Sequence, residues 1–373
     1  MTNATIVRIE QGTFEATRPR SAGSNARIGD HGPTIRLPIV RVTSSDGASG
    51  FGISRASREQ LTKLFGTEIE EPFDPTVGLP PSQIPIEFPL VDLIAKRQNL
   101  PVYQLLSGKS DPLRVPCYDT SLYFDDLHLG SDEEAVELIA TEARQGFERG
   151  HRNFKIKTGR GARHMPLEAG TKRDIAITRA VREVAGPDGK VMIDANNGYN
   201  LNLTKRVLTE TADCNLYWLE EAFHEDVALY RDLKEWLAKE NLPILIADGE
   251  GEASPSLLDW AKQGIVDVVQ YDIINPGLSR WMVLGKILDD MGVKSGPHHY
   301  GTMYGNFATC HLAPVIEGFQ LAEWDEASTP GLDGSAYTIA DGFVTVPNLP
   351  GFGLDLDDAA YLTAVSNTGF VIA

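Results

Sequence analysis

The chain has 373 residues and is 42% hydrophobic, enough to form one large core or two ordinary ones. Its 52 acidic and 34 basic residues give a net charge of −18, which disfavours binding to a phosphate backbone or an anionic membrane surface. We therefore expect neither a nucleic acid nor a membrane as a partner.

The cysteines and the N-terminus indicate the cellular compartment. Three scattered cysteines, Cys117, Cys214 and Cys310, are too few for a disulfide framework and do not form a CxxC metal site. The N-terminal segment "MTNATIVRIEQGTFEATRPR" has no continuous apolar run, so it predicts neither a signal peptide nor a membrane span. A cytoplasmic protein is expected.

The first part of the chain reads as a mixture of strands and helix. Strand patterns occur at "ATIVRIEQGTF" and "IRLPIVRVTSSDGASGFGIS", where the Ser-Ser-Asp-Gly segment predicts a hairpin turn. The segment "EFPLVDLIAKRQNLPVYQLL" has a helical pattern. Residues 1–113 are therefore predicted to form an α+β unit.

From residue 114 an apolar strand followed by an amphipathic helix recurs. The eight strand candidates are "RVPCYDTSL", "NFKIK", "VMIDAN", "LYWLEEAF", "PILIADGE", "DVVQYDI", "GVKSGPHH" and "FQLAEWD". This rhythm predicts an α/β fold with a (β/α)8 barrel over residues 114–335. Residues 336–373, with the hairpin-like "TIADGFVTV", are predicted to return to the N-terminal domain.

Ionisable residues stand at or just after the C-terminal ends of these strands, the rim on which such barrels carry their active sites. They are separated by 22 to 37 residues, about one strand and one helix each. In order they are Lys157, Asp194, Glu220, Glu250, Asp272, His298 and Glu323.

Three of these residues predict a metal site. Asp194, Glu220 and Glu250 end three successive strands, so their carboxylates converge and repel unless a cation lies among them. Singly, each is more often a helix cap or a solvated acid. Together, three oxygen ligands with room for water and substrate suit Mg²⁺.

Lys155 and Lys157 point to the same face of one short strand. Paired lysines are commonly solvent-exposed, but beside a metal site the charge of Lys155 would lower the pKa of Lys157 and make it a usable base. Lys155 would then bind a substrate carboxylate.

Asp272 and His298 lie on neighbouring strands, as expected if the carboxylate orients the imidazole. His299 competes with His298 for this role. Glu323 is a candidate hydrogen-bond donor to an oxyanion, provided that burial keeps it protonated. Two bases facing each other across a metal-bound carboxylate would abstract the proton next to that carboxylate.

These residues resemble the mandelate racemase subgroup of the enolase superfamily over most of the chain. The resemblance rests on Lys155-x-Lys157, Asp194 in "IDAN", Glu220 in "WLEE", Glu250 in "DGE", Asp272 in "YDI", His298 in "PHHYG", Glu323, and the ending "DGFVTVPNLPGFG". It implies an N-terminal capping domain completed by the C-terminal segment, and Mg²⁺ as the cofactor. "EEA" replaces the usual Glu-Glu-Pro, and "NPGLS" the common Gly-Gly.

The resemblance implies an acid-sugar dehydratase that forms an enediolate and then eliminates the β-hydroxyl as water. Racemisation, epimerisation or cycloisomerisation with the same residues is the alternative. Glycoside hydrolysis and a barrel that only binds explain the lysines and the His–Asp pair less well. The family analogy also suggests a homo-oligomer. Capping-domain loops around residues 18–32 and 47–54 would set specificity, and the predicted substrate-binding residues are Lys155, Asn196, His299, Arg18, Arg20 and, as a further anchor, Arg27.

Overall fold

The computed structural model describes residues 4–69, 74, 78–251, 253–301 and 303–373. Its capping part is an antiparallel sheet in the order β16-β1-β2-β3. The strands are β1 (Ile6–Ala22), β2 (Gly32–Ser44), β3 (Ser49–Ile53) and β16 (Phe370–Ile372). The helices of this part are α1 (Arg58–Thr62), α2 (Glu87–Arg97), α3 (Val102–Ser107) and α11 (Asp358–Thr368).

The predicted hairpin joins β2 to β3, and Gly47 in its turn has a φ of 86°, a conformation that favours glycine. β3 packs so closely on α2 that a side chain at Gly50 would clash: its Cβ would lie 2.3 Å from the Leu93 nitrogen. Most of the segment 47–54, predicted as a specificity loop, is therefore a packed strand. Similarly, β1 continues through Arg18 and Arg20, with a register shift after Thr17.

Eight parallel strands form the barrel. They are β4 (Arg114–Leu122), β5 (Phe154–Lys157), β6 (Val191–Asp194), β7 (Trp218–Glu220), β8 (Leu245–Asp248), β9 (Val268–Val269), β10 (Lys294–Ser295) and β11 (Ala322–Trp324). β11 pairs with β4, and Ser295 bonds to Gly318 and Gln320 just before β11, which closes the barrel.

Alternation along each strand separates two cores. One layer inside the barrel consists of Tyr118, Met192, Trp218, Ala247, Val268 and Leu321. Residues of opposite parity, such as Phe154 and Ile156, pack against the helices. These helices are α4 (Asp132–Glu148), α5 (Leu167–Ala185), α6 (Leu201–Glu210), α7 (Val227–Lys239), α8 (Leu257–Lys262), α9 (Gly277–Met291) and α10 (Tyr304–Leu312).

The C-terminal segment divides its contacts between both parts. The remaining strands are β12 (Leu332–Asp333), β13 (Thr338–Ala340), β14 (Phe343–Thr345) and β15 (Asp355–Leu356). The predicted hairpin, β13–β14, pairs with β4 of the barrel rather than with the capping sheet. The return to the cap comes later, where β16 pairs with β1 and the Tyr361 hydroxyl of α11 donates to the Glu10 carbonyl at 2.8 Å.

None of the helices among the described residues combines the length and the apolar character needed to cross a bilayer. All three cysteines are free and buried.

Candidate active site

The two lysines of β5 point into the barrel, as their spacing predicts. Lys155 Nζ lies 2.6 Å from Glu220 Oε1 and 3.0 Å from Glu323 Oε1, and its side chain is fully buried. Lys157 forms a short ion pair with Asp194. The lysines are therefore not a solvated surface pair, because both ammonium groups are held among carboxylates.

Strand register brings the acids together. Lys157 is the cross-strand partner of Asp194, and Asp194 is the partner of Glu220, so the three stand side by side on one rung. Glu250 reaches the same point from the loop after β8, between Gly249 and Gly251, which have φ values of 125° and 63°. Ligand atoms of Asp194, Glu220 and Glu250 all lie within 4.8 Å of one another.

This donor set fits Mg²⁺. Three converging carboxylates are hard oxygen ligands, and like charges this close disfavour one another's ionised forms. Burial raises the pKa of Glu220 to about 7; Lys155 opposes the rise, while Asp194 and Glu250 add to it. A divalent cation among the carboxylates would relieve this crowding, so Asp194, Glu220 and Glu250 are the residues that would hold it.

The pKa of Lys157 differs from the expectation. Burial lowers it and Lys155 lowers it further, as predicted, but the carboxylates of Asp194, Glu250 and Glu220 together outweigh both and raise it above its usual value. Two neighbouring lysines predict a lowered pKa only when these counter-charges are left out. Bound Mg²⁺ would engage the same carboxylates and add positive charge of its own, which would lower the pKa of Lys157 again.

His298 is oriented by Asp272. The two residues form a parallel β-bridge, and His298 Nδ1 lies 2.6 Å from Asp272 Oδ1. Its other nitrogen, Nε2, lies 2.9 Å from Glu250 Oε2. Burial lowers the pKa of His298, but Glu250, Glu323 and Asp272 together raise it well above its usual value. These carboxylates therefore favour the imidazolium form of the ring, which is the form that can give up a proton.

His299 and Glu323 depart from their predicted roles. The backbone N–H of His299 donates to Glu323 Oε2 at 3.0 Å, and its ring is packed against Gly305 and bonds to the Glu323 carbonyl, so it supports the site and does not form the dyad. Glu323 also accepts from the Thr120 hydroxyl at 2.7 Å. Burial raises the pKa of Glu323, but Lys155 and His298 outweigh it and hold the pKa well below its usual range. Glu323 is an ionised acceptor, not the expected neutral donor.

The predicted substrate-binding residues are not all at the site. Asn196 adjoins the acids: its backbone N–H donates to Asp194 at 2.9 Å and its side-chain amide to Glu221 at 2.8 Å. The Arg18 guanidinium lies 5.0 Å from the Tyr300 ring centroid and 3.0 Å from Asp325. By contrast, Arg20 turns to Ser121, Asp125 and Glu142, and the half-exposed Arg27 guanidinium lies 3.7 Å from Glu221. The register shift in β1 explains why Arg18 and Arg20 have such different neighbours.

Two side chains that bind the acids were missed in the sequence. Trp218 Nε1 and Gln270 Nε2 donate to Glu220 Oε2 at 3.0 and 2.9 Å. Each stands two residues before a recognised site residue, so strand alternation would have pointed to both. Glu221, whose pKa burial and Glu250 raise to about 9, was also missed; its φ of 41° turns the chain away from the strand pattern.

Comparison with known proteins identifies the family. Residues 138–360 match the enolase C-terminal domain-like family, which is more than half of the chain. The chain belongs to the enolase superfamily. A crystal structure of galacturonate dehydratase from Geobacillus sp., complexed with D-galacturonate and 5-keto-4-deoxy-D-galacturonate, is 49% identical, with a TM-score of 0.96 and full coverage of both chains (100% and 100%).

Two further members of the superfamily extend the comparison. A mandelate racemase/muconate lactonizing protein from Geobacillus sp. Y412MC10, complexed with magnesium and tartrate, is 49% identical, with a TM-score of 0.97 and coverage of 100% of this chain and 98% of the other. Arabinonate dehydratase from Saccharolobus solfataricus is 26% identical over 284 residues, which are 74% of this chain and 70% of that protein. The predicted superfamily, barrel fold and Mg²⁺-dependent acid-sugar dehydratase class are confirmed.

Proposed function

We propose that this dehydratase acts on a hexuronate, D-galacturonate or a close stereochemical relative, and forms the 5-keto-4-deoxy acid. The observation that carries the proposal is the full-length 49% identity to a galacturonate dehydratase, combined with a complete set of acid and base groups in this chain. The substrate carboxylate is C6 of the open-chain sugar acid, so the acidic proton is at C5 and the leaving hydroxyl at C4.

Substrate binding, proton abstraction and proton donation fall to different residues of the site. Lys155 is placed to bind the substrate carboxylate beside Glu220 and Glu323. Lys157 takes the C5 proton, and the His298 imidazolium, oriented by Asp272, gives its proton to the C4 hydroxyl, which leaves as water. The C5 enol then becomes the ketone as C4 gains a proton and becomes a methylene. Bound Mg²⁺ would supply positive charge to offset the charge that develops on the carboxylate.

The test is proton NMR of D-galacturonate incubated with the protein and Mg²⁺ in D₂O. We expect loss of the C5 proton signal together with a new, partly deuterated C4 methylene. Exchange or inversion at C5 without a methylene signal would show racemisation or epimerisation instead. Galactonate and arabinonate under the same conditions serve as aldonic-acid controls, with slower turnover expected.

Assembly into a homo-oligomer and a cytoplasmic location stay predictions of the sequence. Size-exclusion chromatography with light scattering would test the former, and a mass equal to one chain would contradict it.

A further inference from the structure

Four side chains from the cap and the barrel rim lie together on the Lys157 side of the catalytic centre. We name Arg18, His31, Tyr123 and Tyr300 the distal cluster. The Tyr123 ring centroid lies 5.6 Å from Lys157 Nζ. His31 lies 5.3 Å from both tyrosine rings, and Arg18 stacks 5.0 Å over Tyr300. The cluster thus continues from the proposed base towards the capping sheet.

Several polar atoms of the distal cluster can still form hydrogen bonds to a ligand. The Tyr300 hydroxyl is buried and, within the described residues, has no hydrogen-bond partner. The ring centroids of Tyr123 and Tyr300 are 5.9 Å apart. Unpaired buried hydroxyls cost free energy, so such a group indicates a missing partner. His31 Nδ1 lies 2.6 Å from the Gly23 carbonyl and must donate to it, which leaves Nε2 of the neutral ring as an acceptor.

The charge of Arg18 is already compensated. Its Nη2 lies 3.0 Å from Asp325 Oδ2, and the two side chains are only 8% and 4% exposed. Asp325 is itself fixed, because its Oδ1 accepts from the Ala327 N–H at 3.1 Å. The Arg18 guanidinium has five N–H donors, and among the described residues only the bond to Asp325 uses one of them.

The Arg18–Asp325 ion pair is neutral overall, and the aromatic side chains beside it are uncharged. This environment suits the uncharged end of a ligand, with hydroxyl or carbonyl oxygens. Hydroxyl or carbonyl oxygens can accept from the spare N–H groups of Arg18 and from Tyr300, and a hydroxyl can donate to His31. A second carboxylate would meet the buried Asp325 carboxylate, and the charge of Arg18, already paired with Asp325, would not be free to offset it. Specificity through such repulsion against the wrong ligand is common in recognition sites.

We propose that the distal cluster binds the uncharged end of a monocarboxylic sugar acid, and that Asp325 excludes dicarboxylic acids by neutralising Arg18. This inference rests on the proposed function, since it takes the reacting carboxylate to lie at Lys155. D-galacturonate and galactarate form a matched pair of probes, because they differ only in whether C1 is an aldehyde or a carboxylate.

The experiment compares kcat/KM for these two acids in the parent and in variants. The parent should favour galacturonate by roughly 100-fold or more, in the range that buried, wrongly paired polar groups produce. Asp325→Asn should lower this ratio at least about tenfold, mainly through a gain on galactarate, because Arg18 then carries an unpaired charge. Arg18→Met and Tyr300→Phe should raise KM for galacturonate more than they lower kcat, with no gain on galactarate.

Asp125→Asn is the matched control, since it removes one of the two ion pairs of Arg20, which stands on the same capping strand as Arg18, and it should leave the ratio unchanged. A parent that favours galacturonate, with the same ratio in folded Asp325→Asn, would overturn this inference and leave the proposed function standing. Should Asp325→Asn not fold, unchanged KM values in Arg18→Met and Tyr300→Phe would overturn it equally. A parent active on neither acid, or on galactarate first, would overturn the proposed function as well.

Discussion

The Nδ1 atom of His298 lies 2.6 Å from Oδ1 of Asp272, on two strand ends that are bridged to each other. The carboxylate therefore orients the ring and, together with Glu250 and Glu323, favours its charged form. Asp272→Asn keeps the shape but removes the charge, so kcat should fall by roughly 10²- to 10⁴-fold. Mg²⁺ affinity should not change, because Asp272 is outside the acidic cluster.

Steady-state kinetics and a magnesium titration would check this prediction. Asp341→Asn, an exposed residue paired with Arg152, controls for the substitution itself. An unchanged kcat in Asp272→Asn would show that His298 does not depend on this contact.

We expect one Mg²⁺ per chain. Among the described residues a second group, Asp119, His151 and Glu326, also has ligand atoms close enough to hold a cation. In that group Arg149 lies 3.2 Å from Asp119 and 3.0 Å from Glu326. The positive charges of Arg149 and His151 therefore balance the two carboxylates. Around Asp194, Glu220 and Glu250, by contrast, Glu323 and Asp272 bring the carboxylates to five against the three cations Lys155, Lys157 and His298, which leaves an excess of negative charge suited to Mg²⁺.

Isothermal titration after treatment with EDTA should therefore give a stoichiometry near one, with activity lost on chelation and restored by Mg²⁺. Asp194→Asn should abolish the titration, whereas Asp119→Asn should not. Two comparable sites per chain would contradict the assignment.

Stability should depend on the charge of His151. Burial lowers its pKa, but hydrogen bonds with Cys117 and Glu326 and the charge of Asp119 outweigh this and raise the pKa to about 10. The ordinary value is 6.5, so this contribution is complete below about pH 6.5 and is lost as the pH rises towards 10. Each pKa unit corresponds to about 1.4 kcal/mol, so a loss of a few kcal/mol in the free energy of unfolding is expected.

Urea unfolding of the parent and of His151→Gln between pH 6 and pH 10 would measure this loss. The parent should lose stability steeply over that range, and the variant should lack that component. Parallel curves for the two proteins would contradict the raised pKa.

Glu323 should act as an ionised acceptor. Glu323→Gln replaces one acceptor oxygen with a donor amide that faces Lys155, Thr120 and the His299 N–H, so at least one of these contacts is lost. Hydrogen bonds to charged groups contribute about 1.5–3 kcal/mol, which corresponds to a loss of roughly 10- to 150-fold in kcat/KM. Glu317→Gln, at an exposed acid, is the control. Full activity of Glu323→Gln would support the neutral-donor role instead.

The alternation of side chains between the two faces of short strands made much of the site predictable. Lys155, Lys157, Asp194 and Glu220 occupy inward positions whose spacing is legible in the sequence, and register then aligns them. The pKa of Lys157 was not predictable, because it depends on the distance between its ammonium group and Asp194 across two strands.

Contacts between distant segments account for the other differences. Arg18 and Arg20 stand two residues apart, yet a register shift in β1 directs them to Asp325 and Asp125, about 300 and 100 residues away. The β13–β14 hairpin was legible from its turn residues, but its pairing partner, β4, was not. Tyr300 likewise meets His31 only because the cap closes over the barrel.

In the proposed reaction, Lys157 takes the C5 proton and His298 releases the C4 hydroxyl. The most direct measurement is proton NMR of D-galacturonate in D₂O with Mg²⁺, for the parent, Lys157→Ala and His298→Asn. Lys157→Ala should show neither exchange at C5 nor a methylene at C4, whereas His298→Asn should exchange the C5 proton but eliminate water at least about 10²-fold more slowly. Exchange at the parent rate in Lys157→Ala would contradict the account.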